Sequence, residues 1–256
     1  MKLTLLVNYD VPALLALHYL LPSCAAHEVS VFYTRKDVLP SAPLGLHRFA
    51  EFEAKILTEN TNFKSFNDLV ALELNDINGA DFESFVATNP DLVVSIRHMT
   101  ILQTPVIEVP KYGVINLHSG LLPAYQGVMS TFRAMLNKDE VLGTTLHFIE
   151  GANIDSGSII AQSRTPACYA ESYFWNVLNL YRNGCHTVLE AINLLSRGED
   201  LQAKPQVGRA NYYTYPSVVE IDSAVFPLFK LADVGFLDDY LRGQKLAGPW
   251  GLTTTL

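Results

Sequence analysis

Asp91-Leu92-Val93-Val94-Ser95-Ile96, which follows the Asn89-Pro90 break, and Gly113-Val114-Ile115-Asn116-Leu117-His118 are the two stretches that decide the fold. Each is a short apolar run bounded by turn formers, the pattern of a strand buried on both faces of a parallel sheet. Working outward, Lys2 to Val7 is a third such run. It ends at polar Asn8-Tyr9-Asp10, where Asp10 can cap a helix that carries Pro12 in its first turn. Glu28 to Thr34 is a further β-rich run, so the chain opens β-α-β. Gly143 to Ile149 and Ser158 to Arg164 read as two more strands, joined by a loop over residues 150–157. Between Gly45 and Asn89, apolar positions at helical spacing predict two or three helices: Phe49, Phe52 and Ile56, then Leu69, Leu72 and Leu74. Glu171 to Arg197 reads as one long amphipathic helix that stops before Gly198. Strands alternating with helices predict an α/β fold with a doubly wound, mostly parallel sheet, in which ligands gather at the carboxyl ends of the strands.

Composition bounds the function. With 256 residues, 49% hydrophobic and 17% charged, the chain can bury a large core. A net charge of -8 argues against a sequence-independent grip on nucleic acid, which needs a basic face. Cys24, Cys168 and Cys185 lack CxxC spacing, so they suggest neither a disulfide framework nor a zinc site and suit a reducing compartment. The run from Ala13 to Ala26 has the look of a signal segment, but Asn8, Tyr9, Asp10 and Pro12 interrupt the apolar run before it and Lys2 alone makes a poor basic start, so it is read as a buried helix. No stretch is long enough to span a membrane, and a cytoplasmic protein is expected. After Gly198 the chain changes character, with Lys204-Pro205-Gln206, the aromatic group Tyr212, Tyr213 and Tyr215, and a Gly/Pro-rich tail. Residues 1–198 are therefore expected to form the main domain. Residues 199–256 are expected to be a short C-terminal extension that binds the acceptor or forms a homodimer.

Asn116 and His118 are two apart at a strand end, so their side chains leave the same face and can aim at one atom. Read singly, Asn116 could pair with strand-end backbone, and Asp155 could be an ordinary turn residue. The combination carries more. Asn-x-His-x-x-Leu-Leu-Pro-x-Tyr-x-Gly at 116–127, Gly143-Thr144-Thr145-Leu146-His147, and Asp155-Ser156-Gly157-Ser158-Ile159-Ile160 together resemble the folate-dependent formyltransferase family. The resemblance runs from about Asp91 to Gln162.

It implies a Rossmann-like core, 10-formyltetrahydrofolate as co-substrate, no metal, and a catalytic trio falling on Asn116, His118 and Asp155. It also implies that the pterin of the carrier lies against His98, Met99, Thr100, Ile101 and Leu102. The loop carrying Asp155, with Gly151, Ala152, Asn153 and Ile154, would close the other side. The chemistry suits these residue types. Asn116 and His118 can donate to an oxygen on which charge builds, and a carboxylate–imidazole pair can relay the proton an amine must lose. His147 alternates with apolar neighbours and is expected to be a packed or hydrogen-bonded structural residue. His18, His27, His47 and His186 have no metal-ligand spacing. The tyrosine group could stack on a base or sugar, but a core or dimer role is favoured for it.

Relatives commonly have Arg where this chain has Gln126, a departure that bears on the acceptor. Asn8-Tyr9-Asp10-Val11-Pro12 stands where glycinamide ribonucleotide transformylase presents a phosphate loop, and its carboxylate disfavours phosphate. A tRNA acceptor is disfavoured by the acidic balance and by the short segment after the last long helix. The expected acceptor is thus the amine of a small molecule, foremost a nucleotide-linked amino sugar, with hydroxyornithine as an alternative. Two competing classes are hydrolysis of formyltetrahydrofolate and a non-catalytic folate-binding module. An N-terminal regulatory domain, which the first would normally carry, is not expected. NAD binding is disfavoured because no GxGxxG follows the first strand.

Overall fold

The computed structural model describes residues 1–36, 38–59, 65–66 and 69–241. Its strands in chain order are β1 (Lys2–Asn8), β2 (Glu28–Thr34), β3 (Ser65–Phe66), β4 (Leu69–Val70), β5 (Leu72–Glu73), β6 (Leu92–Ile96), β7 (Val114–His118), β8 (Gln126–Gly127), β9 (Val141–Phe148), β10 (Ile159–Pro166) and β11 (Tyr212–Tyr213). The helices are α1 (Val11–Leu20), α2 (Leu44–Glu59), α3 (Phe82–Val86), α4 (Thr104–Ile107), α5 (Ser130–Leu136), α6 (Tyr173–Ser196), α7 (Val218–Asp222) and α8 (Ala232–Leu241). Seven of these strands form one sheet in the order β10-β9-β7-β6-β1-β2-β5. From β7 to β5 the pairing is parallel, while β9 pairs antiparallel with both β7 and β10.

The sheet is apolar on both faces. Leu3, Leu5 and Val7 of β1 join a large core with α1 and α6, whereas Leu6 joins a second core with Val93, Val114 and Phe85. That two-sided burial is why these strands read as unbroken apolar runs rather than alternating ones. Helix α1 is held at its start by Asp10, whose Oδ1 accepts the Ala13 N–H at 2.9 Å, a cap of about 1 kcal/mol. The hydrophobic stretch that resembles a signal segment forms this buried helix as far as Leu20 and then a 3-10 turn over Leu21–Cys24. Ser172 caps α6, a 24-residue helix that lies across β9 and β10.

The region from Gly45 to Asn89 is less helical than its spacing suggests. Helix α2 forms where expected, but Leu69 and Leu72 lie in strands. β5 pairs Leu72 with Phe32 and Glu73 with Tyr33, and the Leu74 N–H donates to the Tyr33 carbonyl at 2.9 Å. The unpaired edge of β2 supplies hydrogen-bond partners that outweigh local helical propensity, leaving Leu74 buried beside Ile77 and Phe85. Residues 242–256, the Gly/Pro-rich tail, lie outside the described residues. Among the described residues no helix is long and apolar enough to cross a membrane.

Candidate active site

A cavity of about 540 Å³ opens at the carboxyl edge of the parallel strands, a volume in the range of small-molecule sites. Its wall includes Asn116, His118 and Asp155, and also His98 to Leu102 and Gly151 to Ile154. Residues anticipated from three separate stretches of sequence thus share one space.

Strand β7 delivers Asn116 and His118 on one face, between β6 and β9. His118 is 8% exposed. Its Nε2 lies 2.7 Å from the Tyr125 carbonyl and 3.0 Å from Ser130 Oγ, while Nδ1 faces Asp155 Oδ2 at 3.4 Å. A carbonyl on one side of the ring and a carboxylate on the other both suit N–H donors, so the ring is clamped with Nδ1 toward Asp155.

Asp155 comes from the return loop between β9 and β10 and adopts a left-handed φ of 51°, a conformation that Asp tolerates better than most residues. Its Oδ2 accepts the Gly127 N–H at 2.8 Å. Burial would push the Asp155 carboxyl up. His118, His147 and the Gly127 N–H overcome that and hold it at about 2. Gly127 is required twice over: its φ is +90°, and a Cβ there would meet the Tyr213 carbonyl at 2.1 Å, because β8 pairs with β11.

His147 sits in the hydrogen-bonded strand position expected of it, yet it also reaches the site. It stands opposite Asn116 in the β7–β9 register, with Nε2 3.1 Å from Asn116 Nδ2 and 3.5 Å from Asp155 Oδ1, and Nδ1 2.8 Å from the Phe148 carbonyl. His147 Nε2 thus stands between the Asn116 amide and the Asp155 carboxylate, and its contact fixes that amide. Sequence reasoning had no handle on this contact, since it depends on cross-strand register.

The cavity wall also holds a charge cluster that the sequence did not announce. Arg97 Nε pairs with Asp10 Oδ2 at 2.7 Å, and Glu53 Oε1 takes the Val11 N–H at 3.4 Å. Burial and the neighbouring Asp10 charge push the Glu53 carboxyl up to about 8 against the pull of Arg97 and Val11. Asp10 and Glu53 thus place two carboxyl groups at the start of α1. Gln126 is not part of the cavity wall; its Nε2 donates to the Asp155 carbonyl at 3.1 Å. The tyrosine group divides: Tyr213 stacks against Tyr125 in the interior, whereas Tyr212 and Tyr215 line the cavity. Arg133 of α5 ties this segment down through Glu220 and the Thr214 carbonyl.

Residues 53–173 match the family model described as formyl transferase. The stretch that carries Asn116, His118 and Asp155 is thus similar to the formyl transferases. Methionyl-tRNA formyltransferase from Fusobacterium nucleatum is 36% identical over 109 residues, covering 43% of this chain and 35% of that protein. The chain therefore spans about a third of that relative. Among solved structures, phosphoribosylglycinamide formyltransferase from Anaplasma phagocytophilum superposes with a TM-score of 0.58 at 16% identity, covering 82% of this chain and 96% of that one. An N-formyltransferase from Helicobacter canadensis, in complex with folinic acid and dTDP-3-aminofucose, gives a TM-score of 0.54 at 18% identity over 83% and 70%. At such identities these family members share the fold.

Proposed function

We propose that this chain transfers a formyl group from 10-formyltetrahydrofolate to the amine of a small molecule, with Asn116, His118 and Asp155 as its catalytic residues. The observation that carries this reading is the convergence of the three side chains with residues 98–102 and 151–154 on one cavity. The wall suits a polar heterocycle: Thr100 Oγ1 has no partner among the described residues, and neither ring nitrogen of His98 makes a well-aligned hydrogen bond, although the Val7 carbonyl lies beside that ring.

The carrier, when bound, supplies an activated formyl carbon. The chain's residues then have distinct tasks. Asn116, its amide fixed by His147, donates N–H to the formyl oxygen as negative charge develops there. His118 is anchored through Nε2, which leaves Nδ1 as its working nitrogen. Asp155 orients and charge-stabilises that imidazole and relays the proton released by the attacking amine toward the departing nitrogen, directly or through water.

The leading acceptor in this reading is a nucleotide-linked amino sugar. The half-exposed rings of Tyr212 and Tyr215, and Arg35 and Lys36 in the wall, suit a ring system and its phosphates. The Helicobacter relative was crystallised with such a compound. A second reading, an amino-acid-type amine such as hydroxyornithine, is favoured by Arg97 in the wall, whose guanidinium could receive a carboxylate.

Release of tetrahydrofolate, followed spectroscopically with a panel of both amine classes and a no-amine control, tests the proposal. Release that depends on one amine supports transfer and names its acceptor. Equal release without amine replaces transfer by hydrolysis, and carrier binding with no release under any condition replaces it by a binding module.

A further inference from the structure

We propose that Gln206, on the C-terminal extension, is a positioning residue that aims the Asp155 carboxylate at His118, so that the extension completes the reacting centre instead of only bordering it. This rests on the catalytic reading of Asp155 given above.

The argument starts with the backbone. Lys204 makes a two-way bridge with Ile159 at the start of β10, N–H to carbonyl at 2.8 and 2.9 Å, which sets the register of the extension against the return loop. Two residues on, the half-buried Gln206 turns its amide inward. Its Nε2 donates to the Asp155 carbonyl at 2.7 Å and to the Gly157 carbonyl at 2.9 Å. Its Oε1 faces Gln126 Nε2 at 3.4 Å, and that same nitrogen donates to the Asp155 carbonyl at 3.1 Å. Two amides in contact with each other therefore grip one carbonyl.

That carbonyl belongs to the residue with φ of 51°, in a loop that turns so tightly that a Cβ at Gly157 would lie 1.9 Å from the Phe148 carbonyl. A left-handed Asp holds its place only where its surroundings over-determine it. The side chain has one backbone donor, Gly127 N–H, and otherwise faces His118 and His147 at 3.4 and 3.5 Å. Without the carbonyl grip, the peptide at Asp155 can rotate and the carboxylate drifts from Nδ1 of His118. Gln126, standing where relatives commonly carry Arg, gains its role from this pairing.

Gln206→Ala, Gln206→Met, which keeps the length without donors, and Gln206→Glu, which aims a carboxylate at two carbonyls, test the proposal. In the first two, kcat falls roughly 10- to 100-fold, as expected for a displaced catalytic group, while KM for the carrier stays within about threefold. Gln206→Glu loses more. Gln126→Ala loses less, and the Gln126/Gln206 double variant is non-additive because the two amides share the carbonyl. The deciding readout is independent of turnover: the Asp155 carboxyl, followed by carbon NMR in the full chain without carrier, titrates closer to an ordinary aspartate in Gln206→Met than in the native chain. A merely structural role lowers the unfolding midpoint and leaves that titration and kcat where they were, and this result overturns the proposal. If no acceptor supports turnover in the native chain, the formyl-transfer reading fails, while the titration still decides whether Gln206 positions Asp155.

Discussion

Asp155→Asn removes a negative charge from a nearly buried site while keeping an oxygen that can accept the Gly127 N–H. In the native chain the Asp155 carboxyl is held at about 2, against an ordinary 3.8. At about 1.4 kcal/mol per tenfold change in the protonation equilibrium, this amounts to about 2 kcal/mol of folding stability. The folded value is lowered, so the contribution is complete above the unfolded value and is lost as pH falls through about 2. Urea unfolding of both chains at pH 7 should place the variant about 2 kcal/mol lower, and roughly half of that gap should be gone at pH 3. Turnover should fall roughly a hundred- to ten-thousandfold at pH 7, the range for loss of a group that handles the transferred proton. Equal stability at pH 7, or a gap that stays constant down to pH 3, would refute the electrostatic account of this site.

Three further outcomes are expected. Gly127→Ala, which forces a Cβ against the Tyr213 carbonyl at a φ of +90°, should part β8 from β11; a lowered thermal midpoint together with lost turnover checks it, and an unchanged midpoint contradicts it. His147→Ala frees the Asn116 amide and should lower kcat by about tenfold, equivalent to about 1.4 kcal/mol of transition-state stabilisation, with little change in carrier affinity by fluorescence titration. Glu53→Gln should gain stability relative to the native chain as pH rises from 5 to 8. The folded carboxyl, pushed up to about 8, stays protonated through a range where the unfolded one ionises, so native stability falls with rising pH there. Urea midpoints at the two ends of that range decide the point.

The stretches that form β1, β6 and β7 were legible because they are buried on both faces, and a strand with no exposed side has no polar residue to interrupt its apolar run. Helix α1 announced itself through Asp10 and Pro12, and α6 through an amphipathic run that stops before Gly198, each a local signal. Leu72 and Leu74 misled because a spacing of two to five residues fits a helix or a strand, and the choice was made by the vacant edge of β2.

Sequence by itself determined the alternation of strands and helices, the pairing of Asn116 with His118 on one strand face, and the membership of Asp155 in the same motif set. Each of these is written in the order or spacing of neighbouring residues. Only the tertiary structure decided that His147 holds Asn116, that Arg97 and Glu53 meet Asp10 at the head of α1, and that Gln206 reaches back to Asp155. Those contacts join residues 31 to 87 positions apart, and their geometry is set by strand register and loop closure, which no local stretch of sequence encodes.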